Sequence, residues 1–521
     1  MKLAKIDTDQ KKEIFLFGLA FSFFIYMAMT KLTQAPLWLD ETLEYYISRS
    51  LTGPLSWYSN NGVTVTNNMY ERMLGAFQPP LYNIVMYFWL LISTGEWWFR
   101  FSSVIMSAIG VIGIYQSIRK ITTIKIASLS VVVYSCIYQV IYYTQECGEY
   151  AMLLMFLPWL LYSYIKLMEH RQLKNMIFFA LFCVLSIYTQ YGAAFVILPL
   201  AMSVGIRILQ SKEWNRLKQL ICVYLITFLV AAIPLLIFFI IPQLQNQTTF
   251  GPGSAAWRFY QNNFFLDFIH MFIDVFRWNT IESITRFYGV ALIITILLGL
   301  MAFACFTRSR SILLKHLILC NIATWILYYI PTRAGIYGRG YFGFRYNLFF
   351  IPLWLLTIAL MLFESYQILG QISKTEKKRW LQRGYCMILL IAIAGYCVYG
   401  THQINKRWEK SDTRGCVNTW YAEQGYDTLT YVDWGQTPSF SYYLEHDDRY
   451  QANYENNLIR EKLEKPEIED VHLMLDGKWP EEIYCCVGDI HTSAFVQAFV
   501  EKGYTVEQLY KTTAQLYYIH R

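Results

Sequence analysis

Charged residues are scarce in this chain. Only 16% of its 521 residues are Asp, Glu, Lys or Arg, whereas about a quarter is usual in a soluble domain. Hydrophobic residues make up 55%, and they gather in runs of roughly 20 residues, the length that crosses a bilayer. This composition excludes an ordinary soluble protein and indicates one that crosses a membrane several times.

Long basic runs and paired cysteine motifs are also lacking. The net charge of +7 is spread over many connections, so neither a nucleic-acid-binding arm nor a nucleic-acid partner is expected. No CxxC pair has the spacing of a zinc site. Three cysteines lie in the C-terminal tail, where a disulfide from Cys416 to Cys485 or Cys486 stays open if the tail is extracytoplasmic.

No small-residue cleavage site follows the first apolar run. This run extends from Ile14 to Met29, and lysines precede it. The pattern predicts an uncleaved first membrane helix rather than a removed signal peptide.

The connections differ in charge, and this asymmetry predicts the topology. The apolar segments are 13–32, 80–94, 97–118, 122–142, 149–168, 175–190, 191–209, 218–241, 286–306, 311–331, 344–366 and 384–403. The positive-inside rule places the Lys/Arg-rich connections and the N-terminus in the cytoplasm. If the short segment 80–94 crossed, the later basic connections would face outward, so a non-spanning outer helix is predicted there. About eleven spans remain, and a boundary at 188–192 divides a stretch that is too long for one span.

The tail changes character after the last apolar segment. It is charged, with short apolar runs at 429–432 and 483–487 and helix-like patches at 413–423 and 492–502. This alternation predicts a small α/β domain. The predicted fold is therefore a polytopic α-helical membrane protein, with outer juxtamembrane helices in its membrane domain (1–403) and an extracytoplasmic α/β domain (404–521).

Two adjacent carboxylates, Asp40 and Glu41, stand where the first membrane helix should surface. Charged groups near a bilayer are costly and rare unless they are used. Other polar residues fall at the same predicted outer face, namely Gln78, Tyr82, Arg100, Gln145, Glu146, Tyr150, Arg339, Arg345 and Tyr346. Each has a structural alternative, such as a solvated loop, a helix cap or an interfacial anchor. Their convergence on one face nevertheless favours a functional site.

Sugar transfer from a lipid-phosphate donor would use these residue types. Arginines suit the donor phosphate through their paired N–H groups. A carboxylate can accept the proton of the attacking hydroxyl, an assistance typically worth about 10²–10⁴ in rate. Attack opposite the leaving phosphate inverts the anomeric centre. A second carboxylate can orient the acceptor or bind Mg²⁺ or Mn²⁺, although no dedicated ligand set is visible.

Two other classes are alternatives. A flippase or other transporter of lipid-linked saccharides would place ionisable groups near the middle of its spans, where this chain has almost no acids. An O-antigen polymerase or ligase should carry its large outer loop late in the chain, whereas the acidic pair here lies in the first loop.

Five motifs occur in a characteristic order. They are Trp38-Leu39-Asp40-Glu41, Gln78-Pro79-Pro80-Leu81-Tyr82, Phe99-Arg100-Phe101-Ser102, Tyr143-Thr144-Gln145-Glu146 with Tyr150, and Phe344-Arg345-Tyr346. In order and spacing they resemble the membrane glycosyltransferases of the GT-C superfamily. The resemblance is strongest to the branch of protein O-mannosyltransferases and lipid A aminoarabinose transferases, in its broad bacterial form.

The resemblance implies a polyprenyl-phosphate sugar donor and an acceptor on protein, lipid or cell-wall glycan, in contact with membrane lipids. It implies Asp40 as the base, with Glu41 in support, Glu146 as a second acid, and Arg345 near the donor phosphate. The chain departs from the family where Gly148, Leu43 and Pro79 replace basic residues. Phosphate binding is then expected to depend on the remaining arginines, namely Arg72, Arg339 and Arg345.

Overall fold

The computed structural model describes residues 8–49, 69–76, 78–245, 264–280, 288–334, 337, 345–372, 376–406, 411–433, 435–460, 471, 475, 478–488 and 492–521. The helices in this part are α1 (Thr8–Met29), α2 (Leu39–Arg49), α3 (Met69–Ala76), α4 (Leu81–Leu90), α5 (Glu96–Ile121), α6 (Ile124–Ser135), α7 (Tyr138–Thr144), α8 (Glu149–Glu169), α9 (Leu173–Ile187), α10 (Ala194–Gln210), α11 (Trp214–Gln245), α12 (Phe264–Thr280), α13 (Tyr288–Arg308), α14 (Ile312–Arg333), α15 (Phe350–Ile372), α16 (Glu376–Asn405), α17 (Thr413–Ala422), α18 (Thr437–Glu445) and α19 (Thr492–Glu501). The strands are β1 (Thr430–Val432), β2 (Leu458–Ile459), β3 (Glu482–Gly488), β4 (Thr505–Lys511) and β5 (Ala514–His520).

Nine helices in the described ranges are long and apolar enough to cross a membrane, namely α1, α5, α8, α10, α11, α13, α14, α15 and α16. The pair α6 and α7 forms a tenth candidate, bent by 69°. The shorter apolar helix α9 has 15 residues. Together these helices occupy all eleven segments that the sequence predicts to span, which confirms the polytopic helical fold.

Helix α4 is too short to cross. Its 10 residues extend roughly 15 Å at 1.5 Å per residue, about half of the hydrocarbon thickness. This agrees with the prediction that segment 80–94 does not span. The predicted break at 188–192 is also present, because α9 ends at Ile187 and α10 begins at Ala194 after a short 3₁₀ turn.

Helix α11 is irregular, and α16 approaches the bend between α6 and α7 closely. Helix α11 contains π-helical segments at Phe228–Ala232 and Leu236–Ile240. Pro234 and Pro242 follow these segments, and a proline cannot donate the helical hydrogen bond. Gly400 of α16 lies against the break between α6 and α7, where a Cβ atom would come within 2.0 Å of the Cys136 carbonyl oxygen. Any larger side chain there would push the two elements apart.

The chain divides into two compact units by its internal contacts. Unit 1 comprises residues 1–30, 73–82 and 100–406, and unit 2 comprises 31–72, 83–99 and 407–521. The division after Lys406 lies close to the predicted domain boundary at 403/404. Unit 2 also takes in two segments from the N-terminal part of the chain, including α2 with Asp40 and Glu41.

Unit 2 is built on a mixed five-stranded sheet of order β2-β1-β3-β5-β4. Strands β2, β1 and β3 are parallel, whereas β5 pairs antiparallel with both β3 and β4. The predicted strands at 429–432 and 483–487 are the central strands β1 and β3. The predicted helices at 413–423 and 492–502 correspond to α17 and α19, so the α/β prediction for the tail is confirmed.

The sheet has an apolar core on each face, and neighbouring cysteines of β3 belong to different cores. Cys486 packs with Cys416 and Trp420, while Cys485 packs on the opposite face with Phe495 and Phe499. Successive strand residues point to opposite faces, so of the two only Cys486 can reach Cys416. Cys416 and Cys486 are both free thiols. A hydrogen bond with Cys416, together with burial, raises the pKa of the Cys486 thiol well above its usual value.

Candidate active site

The acidic pair lies in the first turn of α2. The Thr42 N–H donates to the Trp38 carbonyl oxygen (3.0 Å) and closes this turn. The positive end of a helix dipole favours carboxylates at this position. Asp40 is half-buried, whereas Glu41 is completely buried. Of the two predicted acids, Asp40 is therefore the one that a bound molecule can reach.

A third carboxylate shares the face of α2 that carries Asp40. Glu44 follows one turn later, so the two side chains project roughly 40° apart around the helix axis. Glu44 is 5% exposed. Glu44 was not among the predicted site residues. Its i, i+4 spacing from Asp40 is the sequence signal that could have placed it on the same face of the helix.

Gln145 caps the end of the first membrane helix. Its side-chain Nε2 lies within hydrogen-bonding distance of the carbonyl oxygens of Met27 (2.9 Å), Ala28 (3.0 Å) and Thr30 (2.7 Å), which share its two hydrogens. The last carbonyls of a helix lack partners within the helix and need such donors. Gln145 thus holds the end of α1, about ten residues before Asp40. A substrate-binding role for this amide stays a prediction, and it would compete with these bonds.

The junction between α7 and α8 concentrates buried polar groups. Glu146 is 4% exposed, and its carboxylate shares a hydrogen bond with Tyr142. Tyr150, in the first turn of α8, interacts electrostatically with Glu149, Arg345 and Tyr346. The structure therefore brings together three predicted site residues, Tyr150, Arg345 and Tyr346. Glu149 is an addition to the predicted set.

The backbone that carries Arg345 is held by neighbouring side chains. Arg345 begins a short 3₁₀ turn, and its carbonyl oxygen accepts a bond from Gln190 Nε2 (3.5 Å). The Tyr337 hydroxyl donates to the Tyr346 carbonyl oxygen (3.0 Å). Gly192 leaves the space for that tyrosine, because a Cβ atom would lie 2.3 Å from the Tyr337 hydroxyl oxygen. The guanidinium is half-buried on a fixed backbone.

The segment that opens α4 is anchored through its backbone. Gln243 of α11 donates from Nε2 to the Gln78 carbonyl oxygen (2.7 Å), and the Tyr191 hydroxyl donates to Gln243 Oε1 (2.7 Å). Leu81, the first residue after Pro79-Pro80 that has an N–H group, donates to the Tyr188 carbonyl oxygen (3.0 Å). Tyr82 is completely buried, whereas the Gln78 side chain is half-buried.

The remaining predicted residues are dispersed. Arg100 is completely buried near the start of α5, where a cation needs partners to offset its desolvation. Arg339 lies outside the described residues. Within the described part of the chain, no three His, Cys, Asp or Glu side chains are grouped so as to hold a metal ion. Dependence on a divalent cation stays a prediction.

Arg49 lines a small cleft at the other end of α2. Tyr87 and residues 90–94 complete the lining. Arg49 Nη1 donates to the Tyr45 hydroxyl (2.9 Å). The cleft begins nine residues after Asp40, roughly 13 Å along the helix, so it does not include the predicted base.

Residues 78–238 match the family model of dolichyl-phosphate-mannose-protein mannosyltransferases. This range contains three of the five motifs, from Gln78 to Tyr150. No curated protein matches the sequence.

Solved structures share the fold over nearly the whole chain. ArnT from Cupriavidus metallidurans bound to undecaprenyl phosphate has a TM-score of 0.53 at 12% identity, covering 97% of both chains. Its apo form has a TM-score of 0.54 at 12% identity, covering 98% of both. The oligosaccharyltransferase of Archaeoglobus fulgidus has a TM-score of 0.50 at 13% identity, covering 96% of this chain and 72% of the other. The resemblance to GT-C membrane glycosyltransferases is thereby confirmed, by the family model over residues 78–238 and by the fold over the chain as a whole.

Proposed function

We propose that this protein is an inverting glycosyltransferase that moves a sugar from a polyprenyl-phosphate donor to an acceptor hydroxyl at the outer face of the cell membrane. The observation that carries the proposal is the accessible Asp40 in the first turn of α2. It follows the first span in a fold shared with ArnT, whose structure holds undecaprenyl phosphate. A lipid phosphate of that kind is the donor carrier that the proposal requires.

In this proposal Asp40 accepts the proton of the acceptor hydroxyl as its oxygen attacks the anomeric carbon. The bond from that carbon to the donor phosphate breaks on the opposite side, which inverts the configuration. Glu41 is completely buried, so it supports the turn that carries Asp40 rather than meeting the acceptor. Glu146 serves as the second acid in the loop before α8.

Arg345 is proposed to hold the donor phosphate. Its backbone is fixed by Gln190 and Tyr337, and its charge lies close to the Tyr150 hydroxyl. A guanidinium and a phenol on a fixed frame offer several donors to phosphate oxygens. Glu149 is buried beside them.

The charge of the connections supports the proposed outer location. The loops between α5 and α6, α8 and α9, α10 and α11, and α13 and α14 carry clusters of Lys and Arg. With α4 not spanning, all four fall on one side, and the positive-inside rule makes that side cytoplasmic. The loop with Asp40 then falls on the other side, away from the supply of nucleotide sugars.

The test is transfer in isolated membranes supplied with radiolabelled polyprenyl-phosphate sugars, without ATP or nucleotide sugar. We expect label to move into protein, lipid or glycan in membranes that contain the protein, and not in membranes that lack it. A flippase would instead move the intact labelled lipid across the bilayer. Absence of transfer from every polyprenyl-phosphate sugar, with such movement present, would contradict the proposal.

A further inference from the structure

Helix α2 is docked on helix α18 of the α/β domain, within unit 2. The hydroxyl groups of Thr42 and Ser439 lie 3.2 Å apart, and both side chains are completely or almost completely buried. One turn further along, the rings of Tyr45 and Tyr442 meet edge to face at 5.0 Å. These contacts join chain segments almost 400 residues apart.

A second contact extends the same interface. The Tyr46 hydroxyl interacts electrostatically with the Glu445 carboxylate. Burial raises the pKa of Tyr46 well above its usual value, so its hydroxyl stays protonated beside that carboxylate. Residues 42, 45 and 46 occupy one face of α2, and residues 439 and 442 share a face of α18, because residues three and four apart are neighbours on a helix. His446, which directly follows α18, also contacts Tyr45.

The chain that leads into α2 is held by the same domain. The Leu37 N–H donates to the Tyr443 hydroxyl oxygen (2.6 Å), and that hydroxyl donates to Glu96 Oε2 (3.2 Å). Arg414 donates to the carbonyl oxygens of Thr33 (3.4 Å) and Gln34 (3.2 Å). The entry to the acidic turn is therefore fixed by groups of the domain that begins more than 360 residues later.

The docked face determines where the acids point. With about 100° between successive residues, Asp40 projects roughly 170° from the centre of the face formed by Thr42, Tyr45 and Tyr46. Glu44 projects close to Asp40 on that same far side. The contact with α18 thus lies on the side of the helix opposite Asp40, and a rotation of α2 about its axis would displace the carboxylate.

We propose that α18 sets the rotation of α2 and thereby aims Asp40, which makes Ser439, Tyr442 and Tyr443 positioning residues for sugar transfer. The proposal rests on the proposed function, since it assumes that Asp40 reacts. In this account the α/β domain is part of the catalytic machinery through its hold on α2.

A cross-link tests the docking without any need for activity. In the Thr42→Cys/Ser439→Cys double variant, peptide mass spectrometry should find a disulfide between positions 42 and 439 that neither single variant gives. Transfer by the cross-linked protein should stay within about twofold of the same sample after reduction. Absence of the linked peptide would overturn the proposal, and so would activity that appears only after reduction.

Substitutions test the positioning. Ser439→Leu should lower kcat by about 10²-fold, because small displacements of a reacting group cost that much, while the KM for the donor stays unchanged. Thr42→Val should lower kcat about tenfold, whereas Thr42→Ser keeps the hydroxyl and restores it. Gln497→Leu, on the surface of α19, is the control. A monodisperse Ser439→Leu protein with wild-type kcat would overturn the proposal. If wild-type protein transfers no sugar, the proposed function fails, and the cross-link still decides the docking.

Discussion

Arg345 combines a fixed backbone with a half-buried guanidinium. Its carbonyl is bonded by Gln190, and the next carbonyl by Tyr337, so little flexibility has to be lost when a phosphate binds. Hydrogen bonds to charged groups contribute about 1.5–3 kcal/mol. Arg345→Ala is therefore expected to raise the KM for the polyprenyl-phosphate donor roughly 10- to 100-fold.

The measurement is initial rate against donor concentration in proteoliposomes. Arg383→Ala, which removes an exposed arginine of α16, serves as the matched control and should leave the donor KM unchanged. An unaltered donor KM in Arg345→Ala would remove this residue from the donor site.

Single residues were predictable where a motif fixes both identity and spacing. Asp40 and Glu41 are recognisable because two carboxylates follow a membrane helix. The partners of Gln145 could not be read from the sequence, since they are main-chain carbonyls more than 110 residues earlier. The grouping of Tyr150 with Arg345 likewise depends on the packing of helices from distant parts of the chain.

At the scale of elements, the Gln145 side chain that caps α1 should contribute measurably to the stability of the protein. Gln145→Leu keeps a similar volume but leaves buried carbonyl oxygens without their donor, which costs about 1–3 kcal/mol. We expect the variant in detergent to lose that much stability, measured by tryptophan fluorescence during thermal or chemical unfolding. Gln210→Leu, at the exposed end of α10, should change stability by less than about 0.5 kcal/mol. Equal stability of Gln145→Leu and wild type would contradict the capping role.

Elements of the tail were predictable only where their hydrophobic pattern is strong. The central strands β1 and β3 coincide with short apolar runs, which predict them from the sequence. Strand β4 is half exposed and includes Thr505, Glu507 and Lys511, so it shows no strand alternation. Helix α18 is rich in Ser and Tyr. Ser439 and Tyr442 are buried against α2, although such polar residues are usually expected at a surface.

At the scale of the whole molecule, hydropathy predicted the apolar helices of the described residues that are long enough to span a membrane. Spans of roughly 20 apolar residues are imposed by the bilayer, so they are legible without tertiary contacts. The grouping of residues 31–72 and 83–99 with the C-terminal domain was not predictable. It arises from contacts such as Thr42 with Ser439, which depend on shape and hydrogen bonding between distant segments.

The central claim is that Asp40 acts as the base of a sugar transfer from a polyprenyl-phosphate donor. The most direct measurement is the transfer rate of purified Asp40→Asn in proteoliposomes, beside wild type and Asp448→Asn, an exposed aspartate of unit 2. Because general-base assistance typically contributes about 10²–10⁴, Asp40→Asn should lose at least 10²-fold in kcat, while Asp448→Asn retains the wild-type rate. Wild-type transfer by a folded Asp40→Asn protein would contradict the account.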